Sequence, residues 1–431
     1  MGSRHLRISI GPVLRIMWVV GLLTATHILS VGVLPATAAK QVLTWGVIPG
    51  AQYEDRYRGI EQLFEAAYPD VDLKWIPISN YLQTVVTMFA GGSAPDVVNA
   101  YVEDLADWAT VGMLEPLNSY IAKTKFDLSP LFPAAVSAFT YEGNLYGIPI
   151  ILNISGLFYN VDMFESAGLK APDETWSWQD LAVRGSKLTQ DSNGDGIFER
   201  FGFQRNSDLA QWVPLIYSYG GGIINTAKKE VVFGSRPTQE ALQLYVDLSQ
   251  KYHASPKPGE GQGFEFQRGN YGMIIMGDWV RQNYRTITGF RWDVGPMPSG
   301  PKGRVAFLGG SALAINRASP QKDLAWKFVS FITNEEVQKV IVNTRAGVPV
   351  VQKVAVEEYV GKNPVPPSAI NLVKMMTCAG WVPGVPRWRD MLNIIRGQFS
   401  DLIAGKMSVA QMTETTAEKL KQLLQEDSRS K

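Results

Sequence analysis

Cysteine and histidine are nearly absent from this chain. Its 431 residues hold one cysteine, Cys378, and three histidines, His5, His27 and His253. One thiol cannot close an intramolecular disulfide, so stability rests on apolar burial, for which the length is ample. His5 and His27 both fall in the first 39 residues, which leaves His253 and Cys378 far apart in the rest. That excludes a His/Cys metal cluster and makes Ser-His-Asp or Cys-His catalysis a poor fit. The glycine run Gly220-Gly221-Gly222 leads into Ile223 and Ile224. A phosphate loop needs Lys and Ser/Thr there, and no dinucleotide fingerprint is present either. No cofactor is expected. Charge of one sign is also lacking, with 41 basic against 40 acidic residues. Without Arg4, Arg7 and Arg15 the balance turns slightly acidic. There is no basic stripe with interleaved aromatics, so nucleic acid is not an expected partner. Carboxylate-pair chemistry needs no histidine, so a glycosidase stays open on this census.

Long hydrophobic runs are lacking too, except at the start. Arg4, Arg7 and Arg15 precede a mostly apolar stretch from Ile16 to Leu34, and Ala36-Thr37-Ala38-Ala39 follows in the A-x-A form. This reads as a cleaved secretory signal over residues 1–39. A retained membrane anchor is the alternative, since about 20 apolar residues span a bilayer. The polar interruptions Thr24, Thr26, His27 and Ser30 favour cleavage. No cysteine follows the run, which argues against a lipid-anchored product and for a soluble protein of a Gram-negative periplasm.

From Val42 onward, apolar runs alternate with helical periodicity. Val42–Val47, Val71–Trp75 and Val97–Val98 read as strands. Asp55–Tyr68 and a segment capped by Ser79 read as helices between them. This β-α-β-α-β order predicts a mostly parallel α/β sheet. A further helix is expected within Ala100–Leu117. After Pro149 a second α/β region follows, with helices at Trp176–Thr189, Ala210–Tyr219 and Pro237–Lys251. Strands are expected at Phe201–Phe203, Asn270–Trp279 and Phe307–Asn316. Ile148–Leu152 and Leu157–Tyr159 read as two buried strands, with polar Asn153 ending the first.

The spelling of Asn144–Trp176, "LYGIP…LFYN.DMFESAGL..P.TW", is narrower than any α/β pattern. With "FEAAYPDV", "GGSAPDVV", "GMLEPL", "GMIIMGDW", "DVGPMPSGP", "GGSALAI" and "AWKFVSFITNEEVQ" in order, it resembles the extracellular solute-binding proteins of ABC importers. The likeness is to the sugar-binding, maltose-binding-protein-like branch, and it runs from about Val42 to near Ile341. It implies an α/β, two-lobed, periplasmic binding protein-like (type II) fold with a hinge of crossing segments. One lobe would comprise residues 40–148 plus about 306–334. The other would comprise 149–305 plus about 335–431. Crossings are implied near Ile148–Ile150, Pro298–Ala306 and Asn334. The function implied is capture of a carbohydrate between the lobes by a monomer and its delivery to permease subunits in the inner membrane, without covalent chemistry. The same fold binding a glycerol phosphate, a polyol, an amine or a ferric ion is the nearer alternative, and a carboxylate-pair glycosidase the more distant one.

A sugar site needs aromatic faces for stacking and polar side chains in the ring plane. In an open α/β sheet it lies beyond the strand ends. Trp45 lies near the end of the first strand and Tyr53 in the loop after it, where they either face the ligand or pack between sheet and helix. The resemblance suggests Tyr101, Glu103 and Asp104 from the "NAYVED" loop, Asn153 past the crossing strand, and a stacking Trp279 after "GMIIMGD". Gly310 and Ser311 permit close backbone approach and offer a hydroxyl. Asn206 and Trp212 are candidate linings of the second lobe. From the C-terminal segment come Trp381, Arg387 and Trp388, the last matching loosely another stacking tryptophan. Asp191, Asn193 and Asp195 have the spacing that opens a calcium loop. The glutamate such a loop requires at its twelfth position is Gly202 here, so an Asx-stabilised turn is the expected reading.

Overall fold

Two long strands organise the structure. In this computed structural model, which describes residues 39–345, 347–361, 365–380 and 384–429, Ile148–Asn160 and Ala306–Ile315 run antiparallel at the centre of a ten-stranded sheet. On one side of them lie Val97–Tyr101, Gln41–Val47 and Val71–Pro77, and on the other Tyr271–Gly277 and Phe201–Gln204. The first three strands pair in parallel, as their β-α-β-α-β order requires. The signal-like residues 1–38 and Trp381 lie outside the described residues.

Each central strand serves both halves of the sheet. Ile148–Ile154 pairs with the return strand, while Ser155–Tyr159 pairs with Tyr271–Gly277. The return strand in turn carries Val97–Tyr101 along its C-terminal half and the short segment Ala379–Gly380 at its start. Asn153 therefore does not end a strand, contrary to the sequence expectation. Its backbone stays in register opposite Gly309 while its side chain leaves the sheet. A polar side chain inside an apolar run thus marks an exit toward a cavity rather than a break in the backbone.

A third segment touches the same place. Val348–Pro349 pairs with Leu152 and Ile151, so the last crossing comes later than the expected Asn334. Asn334 instead caps the helix Glu335–Asn343, accepting from the Glu336 amide. That helix packs on the first-half helix Ala51–Ala67, where Val340 lies 3.0 Å from a Cβ placed on Gly59. Two glycines let three backbones converge here. A Cβ on Gly310 (φ 143°) would lie 2.4 Å from the Ile151 carbonyl oxygen, and one on Gly347 (φ 154°) 2.8 Å from that of Leu152. Both conformations are poor for any residue with a side chain.

Helix ends follow local chemistry with some adjustment. Ser177 and Asp180 form a capping box on Trp178–Leu188, and the Asn160 side chain caps Val161–Ser166. Ser79 does not cap the next helix as expected. Asn80, in the left-handed region, precedes Tyr81–Ala90. The helix expected within Ala100–Leu117 is Leu105–Thr110.

Asp96 ties the first half together. Its carboxylate accepts from the Thr44 amide at 2.9 Å, the Thr44 hydroxyl at 2.6 Å and the Ser319 hydroxyl at 2.6 Å. It joins the first strand to the turn that follows the return strand. Asp96→Ala removes the acceptor of one buried and two partly buried hydrogen bonds and is expected to lower unfolding free energy by about 2 kcal/mol, read from urea midpoints at constant m-value.

Candidate functional site

The C-terminal ends of the first-half strands open onto a cavity of about 200 Å³. Trp45, Tyr53, Arg56, Tyr57, Asn99 and Tyr101 line it from the first half. Asn153, Gly310 and Ser311 come from the crossing strands and Trp279 from the second half. A larger cavity of about 600 Å³ shares Ile48 and Tyr101 with it and is walled by Tyr81, Gln83, Glu103, Leu209, Arg389 and Arg396. The two form one trough between the sheet halves.

Seven of the residues singled out in the sequence meet around the smaller cavity: Trp45, Tyr53, Tyr101, Asn153, Trp279, Gly310 and Ser311. Their environments differ. Trp279 is 38% exposed, and its ring lies over Gly277, where a Cβ would sit 1.7 Å from the indole. Glycine at that strand end makes room for the ring. Trp45 is 1% exposed and packs edge-on against Tyr57 and Phe328 at 5.2 and 5.3 Å. It forms wall rather than an open stacking face. The Asn153 Oδ1 is buried and has no hydrogen-bond partner among the described residues.

Glu103 reaches only the larger cavity. Burial raises its carboxyl above the usual range, opposed by Arg389 and Arg396 nearby. Burial also raises the Tyr101 phenol, which keeps it a neutral donor.

Five candidates lie elsewhere. Asp104 is 3% exposed and spoken for: Arg389 grips both its oxygens, with Nη2 to Oδ2 at 2.7 Å. Asn206 is a loop brace whose Oδ1 accepts from the Asp208 amide, while its backbone engages Gln211 and Tyr245. Trp212 is fully buried, packs on Phe399 at 5.6 Å and donates to the Ser207 carbonyl. Arg387 pairs with Asp390 and Glu426 at 2.9 and 3.4 Å. Trp388 is buried at the start of the helix Trp388–Ile403. In the Asp191 loop, the Asp191 oxygens accept from the Gly194 and Gly196 amides at 2.8 and 2.9 Å. Asp195 accepts from Ile197 at 2.7 Å. The oxygens a cation would need are turned onto their own backbone, as an Asx turn requires.

The sequence reading passed over Arg56, Tyr57, Arg389 and Arg396. Tyr53, Arg56 and Tyr57 stand at i, i+3 and i+4 of one helix, so helical spacing from Tyr53 predicts a shared face. Arg389, Leu392 and Arg396 repeat that logic on the C-terminal helix.

The family of bacterial extracellular solute-binding proteins matches residues 50–339 of this chain. The chain belongs to that family. A mannitol-binding protein of Pseudomonas aeruginosa is 26% identical over 310 residues, covering 68% of this chain and 69% of the relative. The sugar-binding protein MalE from Xanthomonas citri superposes with a TM-score of 0.79 at 21% identity, covering 90% of this chain and 98% of that one. An ABC substrate-binding protein from Listeria monocytogenes in complex with cycloalternan gives 0.77 at 24% identity, covering 89% and 99%. The two-lobed α/β fold of these solute-binding proteins is the fold of this chain. No helix among the described residues is long and apolar enough to cross a membrane.

Two measurements check the electrostatics of this solute-binding protein. The Arg389–Asp104 pair joins the C-terminal helix to the first half beside the larger cavity. Asp104→Ala leaves a half-buried guanidinium unmatched and is expected to cost about 1–2 kcal/mol in a urea melt, between exposed and buried pairs. Asp278, beside Trp279, accepts from the Ile154 amide at 3.2 Å and the Tyr359 hydroxyl at 3.1 Å. Burial pushes its carboxyl from 3.8 up to about 6, against the pull of Arg281. The folded protein thus holds a proton that the unfolded chain releases between those values. Its contribution is full below about pH 4 and lost as pH rises through about 6. Relative to Asp278→Asn, the wild type is expected to lose on the order of 2 kcal/mol between about pH 4 and pH 7, followed by denaturant midpoints.

Proposed function

We propose that this protein is the periplasmic binding component of an ABC importer and captures a carbohydrate in the trough between its lobes. The observation that carries the reading is the smaller cavity. An exposed indole, Trp279, stands over it from one half. Tyr53 faces it from the other. Between them Asn153 brings a side-chain amide and Ser311 a hydroxyl to the lining. Apolar faces with in-plane hydrogen-bonding groups are what a sugar ring needs. The adjoining larger cavity gives room for further sugar units. The named ligand of the Listeria structure supports the same class.

In this reading residues 1–39 are a cleaved export signal. One lobe comprises 40–148 with about 306–334, extended by the helix Glu335–Asn343 that packs on it. The other comprises 149–305 and the C-terminal segments. The solute first rests on one lobe, and rotation about the crossing strands brings Trp279 over it. Only contacts made in the closed form drive that closure. The closed monomer then docks on permease subunits, and no bond in the solute is made or broken. A polyol is the second reading, favoured by the mannitol-binding relative.

Tryptophan fluorescence of the mature protein, titrated with mono-, di- and trisaccharides and polyols, tests this. A saturable shift with a sugar is expected. Trp279→Ala should weaken it about 10- to 100-fold, the scale of one lost aromatic face, with the thermal midpoint unchanged. Response to polyols alone moves the substrate class to the second reading. Hydrolysis of a chromogenic glycoside would overturn the binding role.

A further inference from the structure

The charge of the smaller cavity is one-sided. Arg56 is the single charged side chain among its described lining residues, and no described carboxylate lies within ion-pairing distance of it. The larger cavity differs. There Arg389 is matched by Asp104, and Glu103 stands among the guanidiniums of Arg389 and Arg396.

Arg56 is also held in place. The Tyr57 hydroxyl donates to the Ile48 carbonyl at 3.0 Å, so its lone pair accepts from Arg56 Nη2 at 3.1 Å. The guanidinium sits 5.1 Å from the Tyr53 ring centre and 4.9 Å from that of Tyr57. The two rings flank the guanidinium, and its Nε and Nη1 make no hydrogen bond to described residues. A closed trough without an acid would leave a cation desolvated and unmatched, which is costly.

We propose that the solute carries one carboxylate, received by Arg56 in the smaller cavity, which makes it an acidic sugar of the uronic acid class. The inference rests on the carbohydrate reading above. A planar guanidinium fork matches a planar carboxylate in shape and in unit charge. A phosphate ester carries about −1.5 to −2 at neutral pH and would need a second cation, which the cavity lining does not supply. Trp279 then takes the apolar face of the ring. Asn153 offers its side-chain amide to a ring hydroxyl, and Ser311 and the neutral Tyr101 phenol stand ready to donate.

Isothermal calorimetry on the purified mature protein tests it. The ligands are mono- to trisaccharides of glucuronate, galacturonate, mannuronate and guluronate, their methyl esters, the neutral hexose counterparts and hexose phosphates. One acidic sugar is expected to bind at least 10-fold tighter than its methyl ester, with affinity falling as salt is raised. Arg56→Gln should erase that difference while leaving the thermal midpoint in place. If that variant does not fold, Arg56→Lys, which keeps the charge but not the fork, should narrow it. A neutral sugar binding as tightly as its acid counterpart would overturn the inference and leave the carbohydrate reading intact. Preference for a hexose phosphate would do the same. Failure of every sugar, acidic and neutral, would remove both.

Discussion

Everything in this protein hangs from the antiparallel pairing of Ile148–Asn160 with Ala306–Ile315. The pairing is backbone to backbone, so it tolerates many side chains but very little displacement. Each strand exchanges partners midway, carrying the first half of the sheet on one stretch and the second half on the next. The cavity sits at this exchange point, where Asn153, Gly310 and Ser311 emerge from the sheet. Cavity and crossing strands are therefore the same piece of structure. A side chain added at Gly310 or Gly347 would disturb both at once, because each glycine packs directly on the Ile151–Leu152 backbone.

Long-range polar contacts then fix how the halves face one another. Asp104 and Arg389 are 285 residues apart and meet beside the larger cavity. Asp278 binds the crossing strand through the Ile154 amide and reaches Tyr359 on the other side. Apolar burial runs through both halves as one core, and these directional contacts add links between distant parts of the chain. The division of labour is typical of charged groups, whose geometry is demanding and whose net contribution to stability is small.

Much of the fold is legible in the sequence because it follows from local pattern. Apolar strands and 3.6-residue periodicity place most elements within a few residues. What fails locally is instructive. Asn153 reads as a break because a polar residue in a buried strand has no place on the sheet itself; it needs a cavity, and sequence does not display cavities. Of the site candidates, those at strand ends and crossings gather at one place. Trp212 and Trp388 do not, since each lies on the buried face of a helix. Asp104 has the right residue type after the right strand, but its partner is on the last part of the chain, and no spacing rule links them. Arg56 was readable from its helical neighbours. Its position on the helix face shared with Tyr53 follows from i, i+3 spacing alone.

Asn153 also bears on what the fold would prefer at its position. Its Oδ1 is buried and has no hydrogen-bond partner among the described residues. A buried acceptor without a donor costs about 1–3 kcal/mol. An apolar side chain of similar size would remove that cost, so stability alone does not account for an amide here. The amide is a burden on the fold, and any return on it lies in the cavity that Asn153 lines.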